Sequence, residues 1–240
     1  MRALTPALRR WDRRAAESAD KYIAISTVVR DRVQNAYGIT ADVMPAPHSV
    51  DSAGSLEPVP AIDDWRGSKF FLCVARLLPY KNVDRVVAAF EYLPHARLVI
   101  VGTGPEYDRI SRALGSNVKL LSDLTDGQMR FLYSEAIAVI AASFEDFGLT
   151  PIEAAVYGKP SVTLRYGGFI DTVIEGTTGV FFDHPEPKQI AEAIRRAESG
   201  SWDPGAIVAS AERFSEKRFH IALREEVARW VRFQDSAAAP

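Results

Sequence analysis

The stretch "FFLCVARLLPYKNVDRVVAAFEYLPHARLVIVGTG", residues 70–104, decides the fold class. It begins with an apolar run typical of a strand, continues through a proline turn, and then places Val83, Val86, Val87 and Phe90 at helical spacing. A second apolar run ends in two glycines. Because both runs are apolar throughout and do not alternate with polar residues, both faces of each strand should be buried. The stretch therefore predicts a strand–helix–strand unit in a parallel sheet.

The same alternation continues towards residue 200. Further strands are predicted at "VKLL", "IAVIAA", "KPSVTLR" and "GVFFD", with helical patterns at "TDGQMRFLYSEA", "PIEAAVYG" and "PKQIAEAIRRAE" and a short helix near "DTVIEG". Strands and helices that alternate in this way predict an α/β domain, a doubly wound parallel sheet of Rossmann-like type covered by helices on both faces. We assign this domain to residues 69–214.

The two ends of the chain are typical of parts of a larger unit. Residues 1–47 predict strand, helix and strand, two strands of a sheet whose other strands lie outside this chain. Residues 48–68 are rich in proline, serine and glycine, which predicts a linker. Residues 215–235 predict a last helix with Phe219, Leu223, Val227, Trp230 and Val231 on one side.

Composition excludes several classes of protein. With 240 residues, 47% of them hydrophobic, the chain can bury a core. The net charge of -2 argues against a nucleic-acid partner. No apolar run is long enough to span a bilayer and no signal peptide is visible, which favours the cytoplasm. Arginines and leucines near residues 1–14 leave peripheral association with the inner face of a membrane open.

Four loops should lie at the carboxyl ends of the strands, where parallel sheets bind ligands. In the first, Arg76 and Lys81 could together hold a pyrophosphate, although this stretch alone favours two solvated charges. In the second, Gly102 and Gly104 allow a ligand to approach the backbone. Tyr107 stands where a dinucleotide fingerprint has its third glycine, which makes an oxidoreductase less attractive.

The third and fourth loops add carboxylates and more glycines. Glu145 follows the strand "IAVIAA", and Glu153 lies in the first turn of the next helix, where it would bind hydroxyls or only stabilise the helix dipole. Gly167 and Gly168 could let the chain pass close to a bound group, and Asp171 could cap the following helix. The amides between the two glutamates could meet an anion; they belong to Phe147, Gly148, Leu149 and Thr150.

Four blocks of the sequence together resemble a known family. "VARLLPYKNVDRVVAAF", "LVIVGTGPEYDRI", "ASFEDFGLTPIEAAVYGKPSV" and "GGFIDTVIEGTTGVFFD" have the order and spacing of the donor-binding half of family 4 glycosyltransferases. These are retaining enzymes of the two-domain GT-B fold. "LLPYKNVD" and Glu-Asp-Phe-Gly are similar to the bacterial branch that transfers mannose from GDP-mannose into lipopolysaccharide and other surface glycans. No metal or resident cofactor is expected.

The resemblance implies a role for each matching residue. Arg76 and Lys81 match the basic pair that neutralises the donor diphosphate, which reverses the interpretation as solvated charges. Glu145 matches the catalytic glutamate that contacts the transferred sugar, and Glu153 matches the one that binds the ribose. The remaining donor-binding positions are Gly102, Gly104, Phe147, Gly148, Leu149, Thr150, Gly167 and Gly168.

The departures from the family pattern leave alternatives open. Asp171 replaces the usual glutamate after the glycine pair, which puts its role in the donor site in doubt. The N-terminal acceptor-binding domain is represented only by its last elements, so the acceptor, a glycan or a lipid-linked molecule, would need that missing domain or a separate chain that carries it. The alternative function is a non-catalytic module that binds a nucleotide sugar or a partner. An epimerase or phosphorylase on a related fold fits the block order less well.

Overall fold

The computed structural model describes residues 5–65 and 67–237. Residues 1–4 of the predicted N-terminal segment and residue 66 of the predicted linker lie outside this range. The strands are β1 Ile23–Ala24, β2 Asp42–Val43, β3 Phe70–Val74, β4 Leu98–Val101, β5 Val118–Leu121, β6 Ala136–Ala141, β7 Ser161–Leu164 and β8 Gly179–Phe182. The α-helices are α1 Thr5–Glu17, α2 Thr27–Tyr37, α3 Val83–Ala89, α4 Tyr107–Ser111, α5 Asp126–Glu135, α6 Thr150–Val156, α7 Phe169–Thr172, α8 Pro187–Ser199, α9 Pro204–Ala211 and α10 Glu216–Ala237.

Six strands form one parallel sheet in the order β5-β4-β3-β6-β7-β8. The chain starts at β3 in the middle, moves outward through β4 to β5, and then returns to build β6, β7 and β8 on the other side. This order is that of the doubly wound nucleotide-binding fold, and it leaves a crevice where the carboxyl ends of β3 and β6 diverge. The prediction of a doubly wound α/β domain is confirmed.

Both faces of the sheet are buried, as the apolar strands predicted. In β3, Phe71 and Cys73 join the core under α3 and α8, while Phe70 and Leu72 join the core on the opposite face. Successive side chains of a strand point to opposite faces, so a strand covered on both sides needs apolar residues at every position. A third cluster joins α6 to α9, a helix that the sequence reading missed.

The segment at residues 48–68 is more than a linker. It contains a 3-10 helix, Pro60–Trp65, and buries the side chains of Val59, Ile62 and Trp65 against the sheet. Lys119 and Arg97 lie over the Trp65 ring, at 4.7 and 5.3 Å from its centroid. The proline and serine content did not predict this packing, because it depends on a few apolar residues spaced three apart.

The N-terminal elements form a separate small sheet that docks on the α/β domain. Strands β1 and β2 pair in parallel, with α2 between them, as predicted. Helix α10 returns to this sheet: its buried Glu226 pairs with Lys21 at 3.2 Å. The predicted apolar side of α10 is only partly covered, since Val227 is 51% exposed. Among the described residues, none of the helices has the length and apolar character to cross a membrane.

Candidate functional site

A cavity of about 410 Å³ opens at the point where β3 and β6 diverge. The ends of the two strands form its floor, and the loop between β6 and α6 forms one wall. The N-terminal segment contributes Ile25 and Ala46. The other lining residues are Cys73, Val74, Ala75, Lys81, Ile140, Ala141, Ala142, Ser143, Glu145, Asp146, Phe147, Gly148, Leu149, Thr150 and Phe169.

Lys81 and Glu145 form an ion pair in this cavity. Lys81 ends the 3-10 helix Pro79–Lys81, and Glu145 lies in the loop after β6. Their side chains are only 18% and 20% exposed. Asn82 ties the two loops together, because its side-chain amide donates to the carbonyl of Ala142 at 2.7 Å. The predicted cation and the predicted catalytic carboxylate are therefore neighbours in space, 64 residues apart in the chain.

The glycine pair at residues 167 and 168 lies beneath the Glu145 loop. Gly167 has a φ of +59°, and a Cβ there would lie 1.9 Å from the carbonyl oxygen of Glu145. A Cβ on Gly168 would lie 2.2 Å from the Cα of Phe147. Close backbone packing against the loop requires the pair to be glycine, and its predicted role in donor binding stays a prediction.

Gly102 and Gly104 have a similar structural reason. A Cβ on Gly102 would lie 1.9 Å from the carbonyl oxygen of Ala75, and one on Gly104 would lie 2.5 Å from the carbonyl oxygen of Leu77. Both glycines thus let the β4–α4 turn pack against the loop after β3. Neither glycine lines the cavity, and their predicted role in donor binding stays a prediction.

Glu153 lies in a neighbouring cavity of about 370 Å³. Val74 lines both cavities, so the two share a wall at the end of β3. The hydroxyl of Tyr133 donates to the Glu153 carboxylate at 2.6 Å. The lining residues of this cavity are Ser49, Val50, Asp51, Val74, Asp126, Met129, Arg130, Tyr133, Glu153 and Tyr157. Composition and spacing alone gave no signal for Tyr133, nor for the contribution of residues 49–51.

Tyr133 holds Glu153 as a neutral donor. Burial first, and then the charge of Glu153, raise the pKa of Tyr133 well above its ordinary value. The phenol therefore stays protonated and keeps its hydrogen bond to the carboxylate. The ring stacks on Tyr157 with centroids 5.3 Å apart. This packing fixes the direction of the hydroxyl and leaves the other oxygen of Glu153 for a further donor.

Arg76 lies apart from its predicted partner. It is exposed, it lines neither cavity, and within the described residues its side chain makes no ion pair or hydrogen bond. Lys81 lines the cavity, whereas Arg76 lies at the start of the same loop, outside the cavity. Its predicted contact with a diphosphate therefore stays a prediction.

Asp171 caps a different helix from the one that the sequence suggested. It lies within α7, and its carboxylate accepts from the main-chain N–H of Thr27 at 2.7 Å and from the Thr27 hydroxyl at 2.8 Å. These contacts join the glycine-pair loop to the start of α2. The expectation that Asp171 caps the following helix was wrong, because a carboxylate can also cap a helix that is distant in sequence.

Sequence comparison decides the family. The family described as "Glycosyl transferases group 1" matches residues 62–218, which include both cavities' glutamates. The chain belongs to this family. It is 28% identical over 193 residues to an uncharacterized glycosyltransferase of Bacillus subtilis, YqgM, covering 76% of this chain and 52% of that protein. The Bacillus protein therefore extends well beyond the region that it shares with this chain.

One further relative and one solved structure have names that include a nucleotide sugar. The chain is 26% identical over 216 residues to the GDP-mannose-dependent alpha-(1-6)-phosphatidylinositol monomannoside mannosyltransferase of Mycolicibacterium smegmatis, covering 80% of this chain and 56% of that protein. The fold of this chain matches the crystal structure of Anabaena Alr3699/HepE in complex with UDP-glucose. The TM-score is 0.72 at 21% identity, and the match covers 92% of this chain and 67% of the other. The chain thus has the expected GT-B-type α/β fold, and it spans about half the length of the curated relatives that it matches.

Proposed function

We propose that this glycosyltransferase chain binds a nucleoside diphosphate sugar at the β3–β6 crevice and serves as the donor-binding part of a retaining hexosyltransferase. The observation that carries the proposal is the Lys81–Glu145 pair in the 410 Å³ cavity. A cation and a carboxylate at the switch point of a parallel sheet are the two charges that departure of a diphosphate from a sugar requires.

Each charge has a part in the proposed reaction. When the bond between the anomeric carbon and the diphosphate breaks, negative charge grows on the diphosphate and positive charge on the sugar ring. Lys81 would stabilise the first and Glu145 the second, and both are fixed before the reaction, so little reorganisation is needed. Glu153, held by Tyr133, would accept hydrogen bonds from the ribose hydroxyls in the adjoining cavity.

The proposed donor is GDP-mannose, from which mannose is transferred, and the proposed acceptor is a glycan or a lipid-linked molecule. The named donor of the Mycolicibacterium relative supports mannose, while the UDP-glucose bound to the Anabaena protein makes glucose the competing donor. Since the chain spans about half of its relatives, we propose that an acceptor-binding domain completes the active enzyme. The cytoplasm, at the inner face of the membrane, is the proposed location.

A calorimetric panel tests the donor. The chain is titrated with GDP-mannose, UDP-glucose and ADP-glucose, each paired with its free nucleoside diphosphate. We expect saturable binding of GDP and tighter binding of GDP-mannose. Tighter binding of UDP-glucose would replace mannose by glucose and keep the site, and no binding of any nucleoside diphosphate would refute the proposed function.

Lys81→Ala and Lys69→Ala provide the matched variants for this panel. Lys69 also pairs with a glutamate, Glu135, at 3.0 Å, but it precedes β3 at the amino end of the strand, opposite the cavity. We expect Lys81→Ala to weaken nucleoside diphosphate binding by about 1.5 to 3 kcal/mol, the range for a hydrogen bond to a charged group, and Lys69→Ala to leave it unchanged. Equal effects of both variants would contradict a specific role for Lys81.

A further inference from the structure

The start of helix α2 contacts the Glu145 loop at two places. Ser26, which is fully buried, donates its hydroxyl to the main-chain oxygen of Asp146, the residue after Glu145. Thr27 donates its main-chain N–H and its hydroxyl to the carboxylate of Asp171. Neither Ser26 nor Thr27 lines the cavity, so any influence on a ligand there must pass through the loop.

A short path of hydrogen bonds leads from Asp171 back to Glu145. The N–H of Asp171 donates to the carbonyl of Gly168 at 3.0 Å, and the N–H of Gly168 donates to the carbonyl of Glu145 at 3.0 Å. The backbone of Glu145 is therefore held through Gly168 on one side, and the next carbonyl is held by Ser26 on the other.

An ion pair between Arg32 and Asp146 joins the same elements. Its side chains are 48% and 54% exposed, so water screens the attraction and the pair contributes little. The buried hydroxyl of Ser26 and the two donors of Thr27 thus carry the contact. Buried donors and acceptors are costly to leave unpaired, which makes this contact selective for one position of the loop.

We propose that Ser26 and Thr27 are positioning residues for Glu145, so that the segment containing α2 sets where this carboxylate stands in the donor cavity. The inference rests on the proposed function, in which Glu145 contacts the transferred sugar. It assigns the N-terminal segment a part in donor binding, in addition to its two direct cavity contacts.

Thr27→Val is the variant that tests the proposal, because it removes the hydroxyl and keeps the side-chain volume. The measured quantity is the sugar increment, defined as the dissociation constant of GDP divided by that of GDP-mannose; UDP and UDP-glucose form a second pair. We expect the increment to fall about threefold without any weakening of GDP binding, and Thr27→Ser to restore it. Arg30→Ala is the control, since Arg30 pairs with its helix neighbour Asp31. An unchanged increment in Thr27→Val would overturn the proposal.

A second background separates positioning from a general structural role. In Glu145→Gln protein, Thr27→Val should cause no further fall of the increment, because its effect passes through Glu145. A further fall of the same size would overturn the proposal. Thermal melts check that each variant folds, and Asp171→Asn, which weakens the same contact from the other side, should lower the increment in the same direction if Thr27→Val proves unstable.

Hydrogen exchange decides the inference independently of any ligand. The amide of Gly168, bonded to Glu145, should exchange faster in Thr27→Val than in the wild type or in Arg30→Ala. Unchanged protection would overturn the proposed positioning. If the wild type binds no nucleoside diphosphate, the proposed function fails, whereas the exchange result still shows whether α2 holds the loop.

Discussion

Replacement of Glu145 by glutamine should change the binding of a nucleoside diphosphate and of its sugar in opposite directions. Glu145 holds Lys81 in an ion pair. A diphosphate that binds Lys81 must break this pair and then lie near the carboxylate. Glutamine keeps the shape of the side chain and removes the charge, so Lys81 becomes available and the repulsion disappears. The sugar, in contrast, loses the carboxylate that contacts it in the proposed complex.

The burial of the pair sets the magnitude. Unit charges about 4 Å apart attract by about 4 kcal/mol at an effective dielectric constant of about 20, which is an upper limit. Because both side chains remain about one-fifth exposed, water screens the pair, and the loss of solvation on pairing offsets much of the rest. We expect a net gain of about 1 kcal/mol, so the free nucleoside diphosphate should bind about fivefold more tightly to Glu145→Gln.

Calorimetry with GDP and with GDP-mannose measures both effects on one protein. We expect a lower dissociation constant for GDP, and a smaller difference, or none, between the dissociation constants of GDP and GDP-mannose. Glu135→Gln, which removes the carboxylate that pairs with Lys69 at the amino end of β3, should leave both constants unchanged. Weaker binding of GDP to Glu145→Gln, in protein that melts like the wild type, would refute the reasoning that the pair competes with the diphosphate.

Four further predictions concern other residues in and around the site. Glu153→Ala should weaken the binding of GDP and leave the binding of inorganic pyrophosphate unchanged in calorimetry; an equal loss of affinity for both would indicate misfolding. Tyr133→Phe loses the 2.6 Å hydrogen bond to Glu153, so it should lower the free energy of unfolding in urea by about 1 kcal/mol. Gly167→Ala should destabilise by about 1 to 3 kcal/mol more than Gly38→Ala, since both glycines have positive φ but only Gly167 faces the Glu145 carbonyl at 1.9 Å; similar urea midpoints would contradict this. Burial raises the pKa of Cys73 to about 12, so iodoacetamide at pH 8 should label it only after unfolding, and rapid labelling of the folded protein would contradict its burial.

The sheet was predictable because its signal is local. Apolar runs with helical patterns between them specify a parallel sheet, and the helix at Asp126–Glu135 begins with Thr125 in the capping box that its sequence suggests. Lengths were less predictable: β3 ends at Val74, although the apolar run extends to Leu78. Leu77 is buried without being in a strand, which shows that apolar residues after a strand can pack equally well in a loop.

The site was predictable in its parts and not in its arrangement. The family resemblance predicts Lys81 and Glu153 as donor-binding residues and Glu145 as the catalytic glutamate. The fold brings all three to the carboxyl end of the sheet, and their roles stay predictions. Tyr133 lines the cavity of Glu153. Its helix, α5, is held by packing on the same face of the sheet as Phe70 and Leu72. The partner of Asp171 is Thr27, 144 residues away, and no local pattern reports a contact of that separation.

The separation of the two glutamates explains why one of them needs Lys81 and the other does not. A carboxylate with little exposure must be paired or hydrogen-bonded, and Glu153 has the neutral Tyr133 hydroxyl, which donates without cancelling its charge. Within the described part of the chain, the partner of the Glu145 carboxylate is Lys81, which does cancel its charge. In the proposed reaction Glu145 is needed as a free negative charge only when a diphosphate is present to take Lys81. A free sugar has no charge to exchange for the pair, so it cannot release Glu145. In the proposed reaction, the carboxylate is thus set free by the same contact that holds the leaving group.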